Sequence, residues 1–285
     1  MAITNTKELV DAELAGKWNQ YTWRKVPNQA STQGIWFDLS MSAGMPVPQY
    51  YAATPLTATV MSFSSDRGIF HGYDTSPDTK YLRKTVAYNN TATGLPMDMY
   101  LLDYLMYYPF VDEGTTDPQD MDNTNVLTRY TDGVGVQVMA VSQGSRTGGQ
   151  SFYITYTNSD GVAGRISKTV IQNTAPVNGH IVTSATATSG ASGPFIPLQE
   201  GDKGVRSIEQ VTMLGADVGL FALVLVKPLA QTQLREITAV NEKDYMLMNG
   251  IMPEIKNNAY LNWICLPNGS LSGSVIFGDL KVVWG

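Results

Sequence analysis

Between residues 133 and 170 the chain is written as short β-favouring runs cut by turn residues, and this pattern restricts the fold more than any other feature. Residues 134–141, 151–157 and 164–170 are rich in Val, Ile, Thr, Tyr and Phe, and the turns between them carry Gly148, Gly149, Asn158 and Gly161. Branched and aromatic side chains suit a pleated, half-buried surface, and Gly and Asn accept the backbone angles of tight turns. The expectation is an antiparallel sheet. The same pattern recurs in residues 34–41, 56–63, 179–186, 205–214, 219–227, 233–240, 259–266 and 271–284, with a small-residue loop at 189–194 and a turn at Pro267, Asn268 and Gly269. Residues 205–214 and 219–227 read as neighbours joined through Gly215, Ala216 and Asp217. The second is apolar on both faces, which places it inside a sheet. The fold class expected is mainly β, an antiparallel β-sandwich or jelly roll with one or two short helices.

Residues 5–16 read as a helix, with Asn5 as N-cap, Glu8 reaching back, Gly16 as the stop, and Val10 and Leu14 as its apolar stripe. Residues 78–89 fit a helical face or a strand equally. Residues 97–108, bounded by Pro96 and Pro109, favour a helix through Leu101, Leu105 and Tyr108. Trp18, Trp23 and Trp36 are interleaved with Gly and Pro, which gives residues 1–32 the character of an extended N-terminal arm with a short helix, ahead of a β-sandwich domain at 33–285.

Charged residues make up 15% of the 285 and the formal net charge is −6, against roughly 25% charged in an average domain. Lys80, Arg83 and Lys84 form the only basic cluster, which does not suit phosphate neutralisation, so no nucleic-acid partner is expected. No apolar run approaches the length of a membrane span, and Lys7, Glu8, Asp11 and Glu13 fall where a signal peptide needs an apolar core. Cys265 stands alone in an apolar setting and reads as a buried thiol. His71 and His180 lie in no nucleophile elbow, phosphate loop or zinc motif, and the expectation is a non-enzyme.

Asp112, Glu113, Asp117, Asp120 and Asp122 lie within eleven residues and are the candidate metal site, with Ca2+ as the ion such oxygen donors suit. Their spacing is not that of an EF-hand, and a solvated loop whose Asp residues cap turns explains them as well. Two of these carboxylates across a sugar bond would be a glycosidase arrangement. Trp18, Trp23, Trp36, Tyr50 and Tyr51 are candidate interface rings. Arg129 and Arg206 stand beside strand starts, suited either to carboxylate pairing across an interface or to guarding a sheet edge.

Several blocks resemble tailed-bacteriophage virion structural proteins: residues 34–41 (Gly-Ile-Trp-Phe-Asp-Leu-Ser-Met) leading to 46–51, then 107–114, 129–135, 192–197 and 220–228. The resemblance implies a head decoration (cement) protein in the virion, bound to the major capsid protein or other virion proteins, with self-association as a homo-oligomer such as a trimer. It implies no catalytic residues. The alternative is a tail or head-fibre receptor binder stacking Tyr50, Tyr51, Tyr107 and Tyr108 on glycans.

Overall fold

A computed structural model describes residues 2–184 and 193–285. The described chain is mainly β, with antiparallel sheets packed face to face and three short α-helices, α1 (Thr6–Leu14), α2 (Phe63–Asp66) and α3 (Tyr245–Asn249). The first sheet runs in the order β14 (Asn241–Asp244), β5 (Lys80–Asn89), β16 (Ile276–Trp284), β1 (Trp18–Val26), β3 (Ala43–Met45). The second runs β10 (Arg165–Ile166), β9 (Ser151–Asn158), β12 (Val205–Met213), β7 (Gln119–Asp120), with β11 (Val170–Ile171) also on β9. The third runs β2 (Phe37–Asp38), β15 (Leu261–Pro267), β6 (Met97–Asp112), β13 (Leu220–Leu234), β8 (Gln137–Ser142), with β4 (Thr59–Val60) on β6.

The third sheet is the frame. β6 and β13 pair from Met97↔Leu234 to Asp112↔Leu220 through three register irregularities, and one face of this ladder serves two cores. At one end Met97, Met99, Leu101, Trp263 and Cys265 pack on Trp23, Leu82, Leu280 and Val282 of the first sheet. At the other, Leu105, Tyr108, Val111, Phe221, Leu223 and Leu225 pack on Phe152, Ile154, Ile208 and Val211 of the second. The opposite face of the ladder, with Leu102, Tyr104, Ala222 and Val224, is covered by Trp36, Tyr51, Met61 and Ile181. Trp23 and Trp263 meet with centroids 5.4 Å apart, and Gly278 makes room for the Trp23 ring, because a Cβ there would come within 2.5 Å of it. Truncating either tryptophan removes about 3–5 kcal/mol.

Several expectations change. Residues 97–108 form strand, not helix: with β13 and β15 on either side and apolar packing on both faces, β6 loses the alternation that marks a half-exposed strand. Residues 78–89 resolve to strand β5. The 133–170 segment does not make one sheet, since β8 joins β13 while β9 pairs with β12. The same division separates β12 from β13, although β13 lies between β6 and β8 as an internal strand should. The 34–41 and 56–63 segments shrink to two-residue strands, and Phe63 instead opens α2. Residues 189–192 of the expected small-residue loop, and residues 185 and 186 of the strand before it, lie outside the described residues.

Residues 18–26 do not extend away as an arm. They form β1, paired along Trp18–Lys25 with Ile276–Val283 of β16 in the chain's own sheet. α1 starts as expected, Asn5 Oδ1 accepting from Glu8 N at 3.0 Å, but Glu8 reaches Thr4 N rather than Asn5. Its buried residues are Leu9 and Ala12, three apart, while Val10 and Leu14 face water.

Candidate functional site

The five acidic residues do not converge. Glu113 is fully buried against Arg146, with Nε to Oε1 at 2.9 Å and Nη2 to Oε2 at 3.3 Å, and Arg146 also donates to Asn173 O at 2.7 Å. Burial raises the Glu113 pKa and the guanidinium pulls it back. Asp112 caps its own turn by accepting from Gly114 N, and Asp122 accepts from Thr124 N. Asp120 sits in β7 and accepts from Gln210 Nε2 at 2.7 Å. Among the described residues, only the Asp117 carboxylate is left exposed without a partner of this kind. Glu113 is therefore unavailable to a cation, and among the described residues no group of three or more His, Cys, Asp or Glu side chains is placed to hold a metal.

The aromatic candidates divide. Trp23 is in the core, and Trp36 and Tyr51 cover the third sheet, so these three rings are closed to a neighbouring subunit. Trp18 (43% exposed) and Tyr50 (60% exposed) remain on the surface. Alternation explains it: in β1 the odd residues Tyr21, Trp23 and Lys25 turn inward and the even ones outward. Of the four tyrosines suited to glycan stacking, Tyr51, Tyr107 and Tyr108 are buried and only Tyr50 is free.

Arg129 pairs inside the chain with Asp103, Nη2 to Oδ1 at 2.8 Å and Nε to Oδ2 at 3.0 Å, at the junction of the two cores. Arg206 donates to Ser159 O and Asp132 O. His71 and His180 are both buried, and burial lowers each pKa to about 4. His180 Nε2 accepts from Thr32 N at 3.0 Å, which needs the neutral ring. The Cys265 thiol is buried and pushed well above its ordinary pKa by desolvation.

A surface the sequence did not single out is a groove of about 680 Å³ beside β1, lined by Tyr21, Met45, Val47, Phe63, Arg67 and Phe70 among others. Tyr21 and Phe70 meet edge to face at 4.7 Å, and Phe70 continues to Phe63 at 5.3 Å and to Tyr73 at 5.2 Å. One wall is residues 43–47. Lys25, fully buried, holds this wall by donating to Ser42 O at 3.2 Å and Pro46 O at 3.0 Å, and burial lowers its pKa to about 7. Gly44, at φ +134°, is required where the wall crosses β1, because a Cβ would lie 2.1 Å from Arg24 O. The other wall is α2, capped by the Ser62 side chain and tied to Asn258 Oδ1 through Ser64 N, ending at Arg67 in the left-handed region with φ 57°. Behind the first wall, Asp38 accepts from Tyr104 Oη at 2.6 Å, from Ser40 N at 2.8 Å and from Tyr51 Oη, and burial raises its pKa. Tyr51 was legible as an aromatic anchor, whereas its buried acceptor Asp38 and the cation Lys25 carried no sequence signal, because only the fold brings them together.

No protein-family model matches the chain, and no curated protein matches it.

Proposed function

We propose that this chain is a structural protein of a tailed-bacteriophage particle, a decoration protein that spreads contacts over capsid subunits and associates with copies of itself. The observation that carries the reading is apolar surface left in water: on α3 and the turn after it, Leu247 is 73%, Met248 65% and Ile251 75% exposed. Large apolar side chains grouped this closely mark contact surfaces. They occur on a chain with 15% charged residues, whose polar surface is made largely of groups that hydrogen-bond across an interface at low desolvation cost.

The test is to heat particles carrying and lacking the protein and record the rupture temperature. Particles that carry it rupture at a higher temperature, and replacing Leu247, Met248 and Ile251 together by Ser removes the difference. Equal rupture temperatures would overturn the decoration role. Glycan-array binding by the isolated chain, with none to particles, would support the receptor-binding alternative through Tyr50.

A further inference from the structure

β1 is an open edge along most of its length. β3 pairs only with Arg24, Lys25 and Val26, so, among the described residues, 18–23 have β16 on one side and no strand on the other. Trp284 N donates to Lys17 O at 3.0 Å, which fixes the alternation: odd residues of β1 turn their backbone groups to β16, and Trp18, Gln20 and Thr22 turn theirs outward. The Gln20 N–H is met at 2.8 Å by the side chain of its neighbour Asn19, a local bond that an incoming carbonyl can replace.

Exposed edges are normally guarded by charge, proline or a bulge, because unpaired backbone groups recruit other strands. The opposite edge of this same sheet is guarded, since β14 carries Glu242, Lys243 and Asp244. Residues 18–23 hold no charged residue and no proline, and their pairing with β16 is regular. The groove lies against this edge, with Gln20, Tyr21 and Thr22 among its lining residues.

We propose that the open edge of β1 and the groove beside it form a strand-addition site for an extended segment of a different protein chain. The segment would carry a bulky apolar side chain toward Phe63, Phe70 and Met45, and a carboxylate for Arg67 or Arg24. Backbone bonds along Trp18, Gln20 and Thr22 supply affinity, and the groove selects alternate side chains. Charge complementarity sets the acidic preference: Arg67 lines the groove, Arg24 is exposed on the outward face of β1, and neither has a carboxylate partner among the described residues. A second copy offering the same edge would bring residues 18–23, which hold no carboxylate, and so would not supply the acidic group that Arg24 and Arg67 lack. Sugar is disfavoured within the groove because its lining rings Tyr21, Phe63 and Phe70 meet at edge-on or tilted angles and none is more than partly exposed; Tyr73, 81% exposed, lies outside the lining. The site stands independently of where the protein resides.

The experiment pans a randomised display library of peptides of about ten residues on the whole chain, with Thr22→Pro as the counter-target. Thr22 N–H faces away from β16, so proline there removes the outward donor without breaking the existing ladder. The expected result is enrichment of sequences with alternating apolar residues and at least one Asp or Glu. Methylating alternate backbone nitrogens of an enriched peptide then lowers affinity at least tenfold, as does Arg67→Glu. Failure of any sequence to enrich over Thr22→Pro overturns the proposal, as does equal binding by the N-methylated peptide. A concentration-dependent dimer abolished by Thr22→Pro would assign the edge to a second copy, and glycan binding abolished by Phe70→Ala would assign the groove to sugar; either result overturns it.

Discussion

The acidic loop and the β1 groove both present polar groups at the surface, yet they differ in how much bonding capacity is left over. In the loop, Glu113 is locked to Arg146, Asp112 and Asp122 close turns, and Asp120 holds Gln210. At the β1 edge, among the described residues, the outward backbone groups of Trp18, Gln20 and Thr22 have no strand partner, and Arg24 and Arg67 have no carboxylate partner. Residue type pointed to the loop, while unfilled hydrogen bonds point to the groove. A cluster of carboxylates is informative about ligands only after the chain's own demands on them are subtracted.

The contrast breaks most visibly at Arg146. Replacing it by Met leaves the buried Glu113 without a partner and destabilises the fold by about 3–5 kcal/mol, measured by denaturant unfolding. A loss below about 1 kcal/mol would mean that Glu113 is free for other work.

Acid sharpens the comparison next. His71 and His180 are held neutral with pKa about 4 against 6.5 when unfolded, so the unfolded state binds more protons between those values and stability falls as pH drops from 6.5 to 4. His180 alone contributes up to roughly 3 kcal/mol over that window. The buried carboxyls Asp38, Asp103 and Glu113, raised by burial, return part of this as they take up protons. His180→Gln flattens the pH dependence of the unfolding midpoint, and an unchanged profile would contradict the neutral ring.

Smaller still is the response to Ca2+. With Glu113 engaged, millimolar Ca2+ leaves the unfolding temperature of the isolated chain unchanged, and a rise that Asp117→Asn abolishes would restore the cation reading. A comparably small effect is expected in the groove, where Arg67→Ala shifts stability by no more than about 0.5 kcal/mol, because it removes no bond within the fold.

Much of the fold was legible in the residues. Turn chemistry and β-branched runs marked β8, β9, β12, β13, β15 and β16, and Asn5 and Gly16 marked α1. Residues 179–184 and 235–240, expected as strand, make isolated bridges or loop, and β14 with its Asn-Glu-Lys-Asp sequence carried no strand signal. What failed was assignment at sites where tertiary packing decides. β6 hid as a helix because burial on both faces erases its period, and β8 and β9 were joined because sequence neighbours usually pair, whereas here they feed different sheets. The site was less legible. Trp18 and Tyr50 were found as exposed rings, but nothing local separates them from Trp23 and Tyr51. Strand alternation and the Asp38 acceptor make that distinction. The open edge of β1 is defined by the strand that stops short of it, a property of β3 and not of residues 18–23.

The β1 to β16 register carries a further consequence for how the chain assembles in time. Trp18 pairs with Val283, so this ladder closes across almost the whole sequence. Contacts of such separation form slowly, after the local ones that cost less chain entropy to close. During synthesis Trp23 has no Gly278 to rest on until ribosomal elongation has passed residue 278, and until then both edges of residues 18–23 are bare. The stretch that we infer to accept a partner in the mature protein is thus unpaired on both sides in the nascent one, the interval in which a bound chaperone or an early partner would change folding yield most.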